Sequence, residues 1–326
     1  MTLYNKGPYV AEAMRSVLEG SFADLELLVV DDASTDEGSE VVRSFNDARV
    51  RFLPAEWNQG RAAAANRGYY AAAGEYIAVL DADDVAHPER FAKQVAFMDA
   101  NPNIGVSGTA ATSFGAEDRT YHWPATDREC RALLLFTDPV LYGSCIMRRE
   151  LIVANNMRSR EDWLLPAEDY LFMLRMSRIT RFANLQEPML RYRIGEQNQR
   201  HGRNAADDRK AVLREAFRTL GVPASEVELD LQLLSYKLTR SRITAQRVAD
   251  YFQWSEKLMA MNRAHAWFDA ELFEREVRRR RESLFYLLPE HGIAAARKHM
   301  ELSGTGNRAK WVYLMKVVVK RGVTKG

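Results

Sequence analysis

The sequence predicts an α/β fold: a doubly wound, mostly parallel sheet followed by an all-helical C-terminal extension. Three observations predict it. Short apolar runs alternate with helical patterns through residues 8–107, the rhythm of a parallel sheet with helices on both faces. Two of those runs end abruptly in carboxylates, at Asp31-Asp32 and at Asp81-Ala82-Asp83-Asp84, and open α/β sheets bind ligands beyond the carboxyl ends of their strands. From about residue 203 onward only helical patterns remain, rich in Arg, Leu and Ala. The boundary is expected near residue 200, separating a ligand-binding domain, 1–200, from a helical region, 201–326.

The elements follow in order. Tyr9, Val10, Ala13, Met14, Val17 and Leu18 share one helical face within residues 8–20. Leu25–Val30 is a continuous apolar run, the mark of a strand buried on both faces. Asp36–Phe45 reads as a helix, Val50–Leu53 as a strand, Arg61–Ala73 as an alanine-rich helix and Tyr76–Leu80 as a strand. Pro88–Ala100 is a helix with proline in its first turn, and Ile104–Ser107 a further strand. Beyond residue 108 the rhythm loosens; Ser144–Met147 and Met189–Tyr192 read as strands, and Leu171, Leu174 and Met176 as a helix after Glu168-Asp169. Only Met1-Thr2-Leu3 precede the first helix, so the first strand is nearly absent against a usual five to six residues. The expectation is that the native start lies upstream.

Composition narrows the function. Of 326 residues, 47% are hydrophobic and 28% charged, and the formal net charge of +2 makes no case for nucleic acid. Two cysteines, Cys130 and Cys145, exclude a disulfide framework and a multi-cysteine zinc site and fit a reducing compartment. No signal peptide and no bilayer-length apolar run is visible, so a cytoplasmic location is expected.

The carboxylates carry the chemistry. In an extended segment, side chains at i and i+2 point the same way, so Asp81 and Asp83 are expected to converge. Mg²⁺ or Mn²⁺ takes one or two protein carboxylates and completes its shell from phosphates and water. The pair therefore reads as half a metal site whose other half is a nucleoside diphosphate. Asp84 reads equally as a cap for the helix that follows. Asp31-Asp32 reads either as a second ligand-facing cluster or as a turn, with Ser34 or Asp36 capping the next helix. Glu168-Asp169 opens a helical pattern, where first-turn acids are favoured by the dipole.

Taken together these residues resemble an inverting family-2 glycosyltransferase with the GT-A fold. The matching stretches occur in order: Thr2-Leu3-Tyr4-Asn5 with Tyr9, Leu28 through Asp36, Asn58-Gln59-Gly60 with Asn66-Arg67-Gly68, Ala73 through Ile77, Leu80 through Asp84, Arg148-Arg149-Glu150, and Glu168-Asp169-Tyr170. They cover about the first 195 residues. Each stretch alone is weak; in sequence they are specific.

The resemblance implies roles. Thr2, Leu3 and Tyr4 line a base pocket, and Asp31 or Asp32 bonds the base or ribose. Asn58 belongs to the donor site. Asp81 meets the sugar or ribose, and Asp83 holds the metal on the diphosphate. Asp169 is the base that deprotonates an acceptor hydroxyl, with Glu168 beside it. It further implies a UDP-sugar donor, a glycan or lipid-linked acceptor, and a place in cell-envelope polysaccharide or glycolipid synthesis.

There are departures. Ala65 stands where relatives often carry Arg or Lys; Arg61, four residues earlier on the same helical face, either supplies that charge or is solvated. Asn155-Asn156-Met157 replaces a Gly-Gly-aromatic turn, and Asn tolerates left-handed geometry. His201 is either a metal ligand or a surface histidine. Tyr121-His122-Trp123-Pro124 reads as an acceptor shelf or a packed loop. Arg191 and Arg193 alternate onto one face as phosphate contacts or as an edge strand. In the tail, Trp311, Leu314 and Val318 share one helical face with Lys316 and Lys320 opposite, so residues 309–326 either rest on an anionic membrane or pack on the protein.

Two other classes fit less well. A non-catalytic nucleotide-sugar-binding scaffold of the same fold would also carry these residues. A receiver-type phosphoacceptor domain shares the spacing of Asp31, Asp32 and Asp81, but no lysine occurs between Lys93 and Lys210 where it needs one.

Overall fold

The computed structural model describes residues 1–195, 204–304 and 308–323, with side chains described as far as residue 317. The chain forms two compact units, Met1–Cys130 with Thr137–His201, and Arg131–Phe136 with Gly202–Gly326.

The first unit holds the sheet. It opens with β1 (Thr2–Leu3), α1 (Gly7–Leu18), β2 (Leu27–Asp31), α2 (Gly38–Arg43), β3 (Val50–Pro54), α3 (Arg61–Ala71), β4 (Tyr76–Ala78), β5 (Val85–Ala86) and α4 (Arg90–Ala100). It continues with β6 (Ile104–Gly115), β7 (Thr120–Tyr121), α5 (Asp127–Ala132), β8 (Ile146–Arg148), α6 (Arg149–Ala154), α7 (Glu168–Met176) and β9 (Arg181–Ile194). Strands β1, β2 and β3 are parallel, and a parallel bridge from Thr2 to Asp81 extends that half past the end of β4. The rest runs β4-β8-β6-β9-β5 with β7 on β6; there β6–β9 is parallel and the other pairs are antiparallel.

The apolar periods explain the layers. All five residues of β2 are buried, as a strand covered on both faces requires. Its Leu27 and Val29 enter one core with Val10, Met14 and Val17 of α1. The other core gathers Tyr69, Ile77, Val106, Phe172 and Phe182. Strands β6 and β9 run 12 and 14 residues, far beyond the short strands expected there. Beside apolar residues such as Val106 and Phe182 they bury small polar ones: Ser107, Thr109 and Ser113 on β6 and Asn184 on β9. A Cβ on Gly108 would lie 2.3 Å from the Asn184 amide oxygen on β9, so the close approach of these strands depends on that glycine.

β1 is two residues long. A cavity of ≈ 400 Å³ lies between β2 and β4, lined by Leu28, Ala65, Tyr69, Ile77 and Phe91 among others. Met1 lines it too, with Tyr69 of α3 and Phe91 and Val95 of α4.

The second unit is helical among the described residues: α8 (Ala205–Leu220), α9 (Glu226–Gln232), α10 (Ala245–His265), α11 (Ala270–Leu284), α12 (Leu288–His291), α13 (Ile293–Ser303) and α14 (Arg308–Val323). Side chains of Asn204, Ser225, Thr244 and Asp269 cap four of these helices, each cap stabilising by about 1 kcal/mol. In α14 the expected shared face divides. Leu314 is buried, and Lys310 is buried and ion-paired with Glu282. Trp311 is 42% exposed, with Val312 and Met315 outward beside it. Leu314 and Lys310 lie one turn apart and fix the buried line; Trp311 sits too far round the helix to join it. The Val318 side chain lies outside the described residues. No described helix is long and apolar enough to cross a membrane.

Candidate active site

The site is built where the parallel strands end. Asn5, at φ 50°, ties the β1–α1 turn to the loop after β2. Its side-chain oxygen accepts from Thr35 N at 2.8 Å and its N–H donates to Ser34 Oγ at 3.0 Å. Gly7 N donates to Asp36 Oδ2 at 2.8 Å.

Asp31 and Asp32 are held by neutral donors. Asp31 Oδ1 accepts from Ser34 N at 3.1 Å and Ser34 Oγ at 2.6 Å, and its Oδ2 accepts from Ser39 Oγ. Asp32 accepts from Gln59 N and Gly60 N, both at 2.8 Å. Gly60 has φ 90°, a conformation glycine adopts without strain. Both carboxylates are nearly fully buried. The structure thus gives Asp31 the turn role that its sequence left open, and gives Asp32 the fastening of the Asn58-Gln59-Gly60 loop. Asn58 itself is exposed. Of the expected base pocket, Thr2 lines the cavity and Tyr4 is 46% exposed. Leu3 is corrected: its side chain is packed in the α1 core, because successive strand side chains face opposite sides.

The second cluster differs. Asp84 N donates to Asp81 O at 3.1 Å, so residues 81–84 form a tight turn and not the extended segment that would bring Asp81 and Asp83 together. Asp81 and Asp84 both face Gly143, where a Cβ would lie 3.2 Å from Asp81 Oδ2 and 3.5 Å from Asp84 Oδ2. Burial, and then the neighbouring Asp81 charge, push the Asp84 carboxyl up to about 8. Burial also raises Asp81, opposed by Arg61. Asp84 Oδ1 accepts from Arg193 N at 2.8 Å, while its buried Oδ2 has no hydrogen-bond partner among the described residues. Asp83 Oδ2 is 2.6 Å from Lys6 Nζ, and the Asp83 charge acts on both Asp81 and Asp84.

Asp169 stands in the first turn of α7, behind Ala167 at φ 65°. A non-glycine residue there costs about 1–2 kcal/mol, which the surrounding contacts must offset. Asp169 Oδ2 is 3.3 Å from the Arg61 guanidinium. That ion pair raises Arg61 further above its ordinary value, and Asp81, Tyr142 and Glu168 add to it. Glu168 is buried, accepts from Arg160 N at 2.6 Å and pairs with Arg175 at 3.0 Å. Burial raises its carboxyl, and these two partners oppose the rise. Asn156 takes φ 47°, the left-handed turn its position calls for. Thr2, Arg61, Tyr142, Glu168 and Asp169 all line one cavity.

Three residues of the site were not singled out from sequence as such. Lys6 is hidden in an ordinary helix start. Tyr142 lies in an irregular stretch, its hydroxyl meeting that of Tyr69. Arg193 was only half seen: its guanidinium bonds the Asp83 carbonyl at 2.8 Å, pairs with Glu12 at 2.6 Å and lies over the Tyr9 and Phe114 rings. Its alternation with Arg191, which also lies over Phe114, was the available signal. Trp123 is half-buried against the α1 core, the packed-loop reading of its segment. His201 lies outside the described residues.

The residues present fit a divalent cation. Asp84 Oδ2 is a buried oxygen without a donor, and glycine at 143 leaves room in front of it. Among the described residues no three Asp, Glu, His or Cys side chains converge on one point. The protein would then supply one or two ligands and a diphosphate the others, as is usual for Mg²⁺.

Comparison with known proteins agrees with this arrangement. Residues 1–154 match the family described as Glycosyl transferase family 2. An uncharacterized glycosyltransferase of Haemophilus influenzae is 26% identical over 204 residues, 59% of this chain and 63% of the relative. Glycosyltransferase GlyG of Streptococcus pneumoniae is 38% identical over 108 residues, 32% of this chain and 36% of the relative. The chain thus spans less than two thirds of the length of either. The crystal structure of S. aureus TarS 1-349 in complex with UDP-GlcNAc shares the fold at TM-score 0.60 and 18% identity, covering 94% of this chain and 91% of that one.

Proposed function

Because this chain belongs, through residues 1–154, to glycosyl transferase family 2, we propose that it moves a sugar from a nucleoside diphosphate donor to an acceptor hydroxyl with inversion at the anomeric carbon. The observation that carries the reading is the meeting of Arg61 and Asp169, 108 positions apart, on the wall of a cavity that Thr2 also lines. A base and a cation stand together beside the ends of the strands.

In this reading Asp169 accepts the proton of the acceptor hydroxyl as its oxygen attacks the anomeric carbon. The bond from that carbon to the diphosphate oxygen breaks, and the nucleoside diphosphate leaves on the opposite face. Arg61 turns toward the growing negative charge of the leaving group. Glu168, held by Arg175 and Arg160 N, sets the pitch of the helix that presents Asp169. Asp83, with Asp81 and the donor-less Asp84 Oδ2 beside it, would hold Mg²⁺ or Mn²⁺, which when bound stabilises the charge on the departing diphosphate. A UDP-sugar is the first donor to try, since TarS, whose fold this chain shares, is crystallised with UDP-GlcNAc. The acceptor is a glycan or lipid-linked sugar of the cell envelope.

The reading places the protein in the cytoplasm, where the buried Cys130 and Cys145 stay as thiols. It allows α14 to touch the inner face of a membrane through Trp311, Val312 and Met315. Besides the buried Lys310, residues 308–326 contain Arg308, Lys316, Lys320, Arg321 and Lys325 and no acidic residue, which suits an anionic surface. Flotation with anionic liposomes is expected to need residues 309–326; equal flotation without them removes the membrane contact.

The deciding experiment is a thermal-shift panel of nucleotide-sugars with Mn²⁺, followed by a transfer assay with the best donor. Binding without any transfer to glycan or lipid-linked acceptors would leave a scaffold. No binding would remove the donor site.

A further inference from the structure

Resting on that donor site, we propose that Lys6 is a resident counter-ion of Asp83 that an incoming divalent cation displaces, and that the freed ammonium passes to the donor's diphosphate. Lys6 would then couple cation binding to donor binding.

The geometry supports an exchangeable pair. Lys6 Nζ sits 2.6 Å from Asp83 Oδ2, with side-chain exposures of 23% and 11%, so the pair is shielded but reachable from solvent. Lys6 occupies the N-cap position of α1, where the helix dipole disfavours a cation. Nothing in the local chain calls for a lysine there; the attraction comes from Asp83, 77 positions away. Among the described residues Nζ has Asp83 as its one ion-pair partner. Arg193, the other cation on this segment, is fixed by Glu12, the Asp83 carbonyl and two rings and is not free to leave. A lysine, with its flexible stem and compact charge, is suited to changing partners.

Charge balance completes the argument. Asp81, Asp83 and Asp84 lie within four positions. One cation added there without a diphosphate competes with Lys6 for Asp83. With a diphosphate present, Lys6 gains a new partner and the competition ends. By linkage, the cation and the diphosphate then strengthen each other's binding.

The test uses the full chain, Mn²⁺ alone and UDP, with Mn²⁺ affinity read by paramagnetic resonance and UDP affinity by calorimetry. Lys6→Gln is expected to bind Mn²⁺ alone about tenfold more tightly and UDP with Mn²⁺ about tenfold more weakly. Lys6→Arg grips Asp83 through two donors and is expected to bind Mn²⁺ more weakly, which keeps the test open should the Gln variant fail to fold. Unchanged Mn²⁺ affinity in both variants, with wild-type binding intact, overturns the exchange and leaves a purely structural pair. Absence of Mn²⁺ and UDP binding in the wild type overturns the donor site along with it.

Discussion

Two acidic clusters terminate neighbouring parts of one sheet, yet they are treated in opposite ways. The carboxylates after β2 are surrounded by hydroxyls and backbone N–H groups: Ser34 and Ser39 for Asp31, Gln59 and Gly60 for Asp32. Asp83 after β4, and Asp169 on α7, meet cations instead, Lys6 and Arg61. Neutral donors fix a loop and stay where they are. Cations can be exchanged for another anion or replaced by another cation. The partners of the two clusters thus differ in kind, although in sequence both are an apolar run ending in Asp.

The sharpest break in this comparison is expected at the base. Asp169→Asn keeps shape and UDP binding but loses about 10³-fold in transfer rate; a rate within a fewfold of wild type in a donor-saturated assay removes the base assignment. Next, Asp83→Ala is expected to abolish Mn²⁺-dependent UDP binding by calorimetry. Its stability should fall by only about 0–1 kcal/mol, since the pair it breaks is partly exposed. Asp32→Ala reverses that pattern. Two backbone N–H groups lose a buried acceptor, and denaturant unfolding should report a loss of about 2 kcal/mol. If Asp32→Ala proved harmless and Asp83→Ala unfolded the protein, the two clusters would have to change roles.

Smaller effects sharpen the contrast. Asp84 has its carboxyl raised to about 8 by burial and by Asp81. A raised carboxyl favours the folded state fully below its ordinary range near 4, and that contribution is lost as pH rises toward 8. Asp84→Asn stays neutral throughout, so its melting temperature should fall less than that of the wild type between pH 5 and 9, by the equivalent of about 1–2 kcal/mol. Parallel profiles would mean that Asp84 is ionised in the folded protein.

Much of the fold was legible. β2 is a continuous apolar run, α1 repeats its apolar residues at 3, 4 and 7, and the helical tail shows no other period; these are local signals that burial enforces directly. Strands β6 and β9 were legible only in part because their buried faces carry Ser107, Thr109 and Ser113. A buried hydroxyl satisfied by a nearby backbone carbonyl, as Ser107 by Gly108 and Thr109 by Ala110, leaves no hydrophobic period to read. At the site, the positions of Asp81, Asp83 and Asp169 were visible, but the turn that carries Asp81, Asp83 and Asp84 was not. A tight turn replaced the extended geometry that the i, i+2 argument assumed. Leu3 was assigned to the pocket when strand alternation sends it to the core.

From the order of residues alone come the strands, the helices and the places where carboxylates emerge from them, because each depends on neighbours within a turn or a pleat. What each carboxylate then meets was decided only in three dimensions. Lys6 reaches Asp83 across 77 positions and Arg61 reaches Asp169 across 108. Whether an acid finds a hydroxyl, an amide or an ammonium depends on which distant segments packing brings to its side.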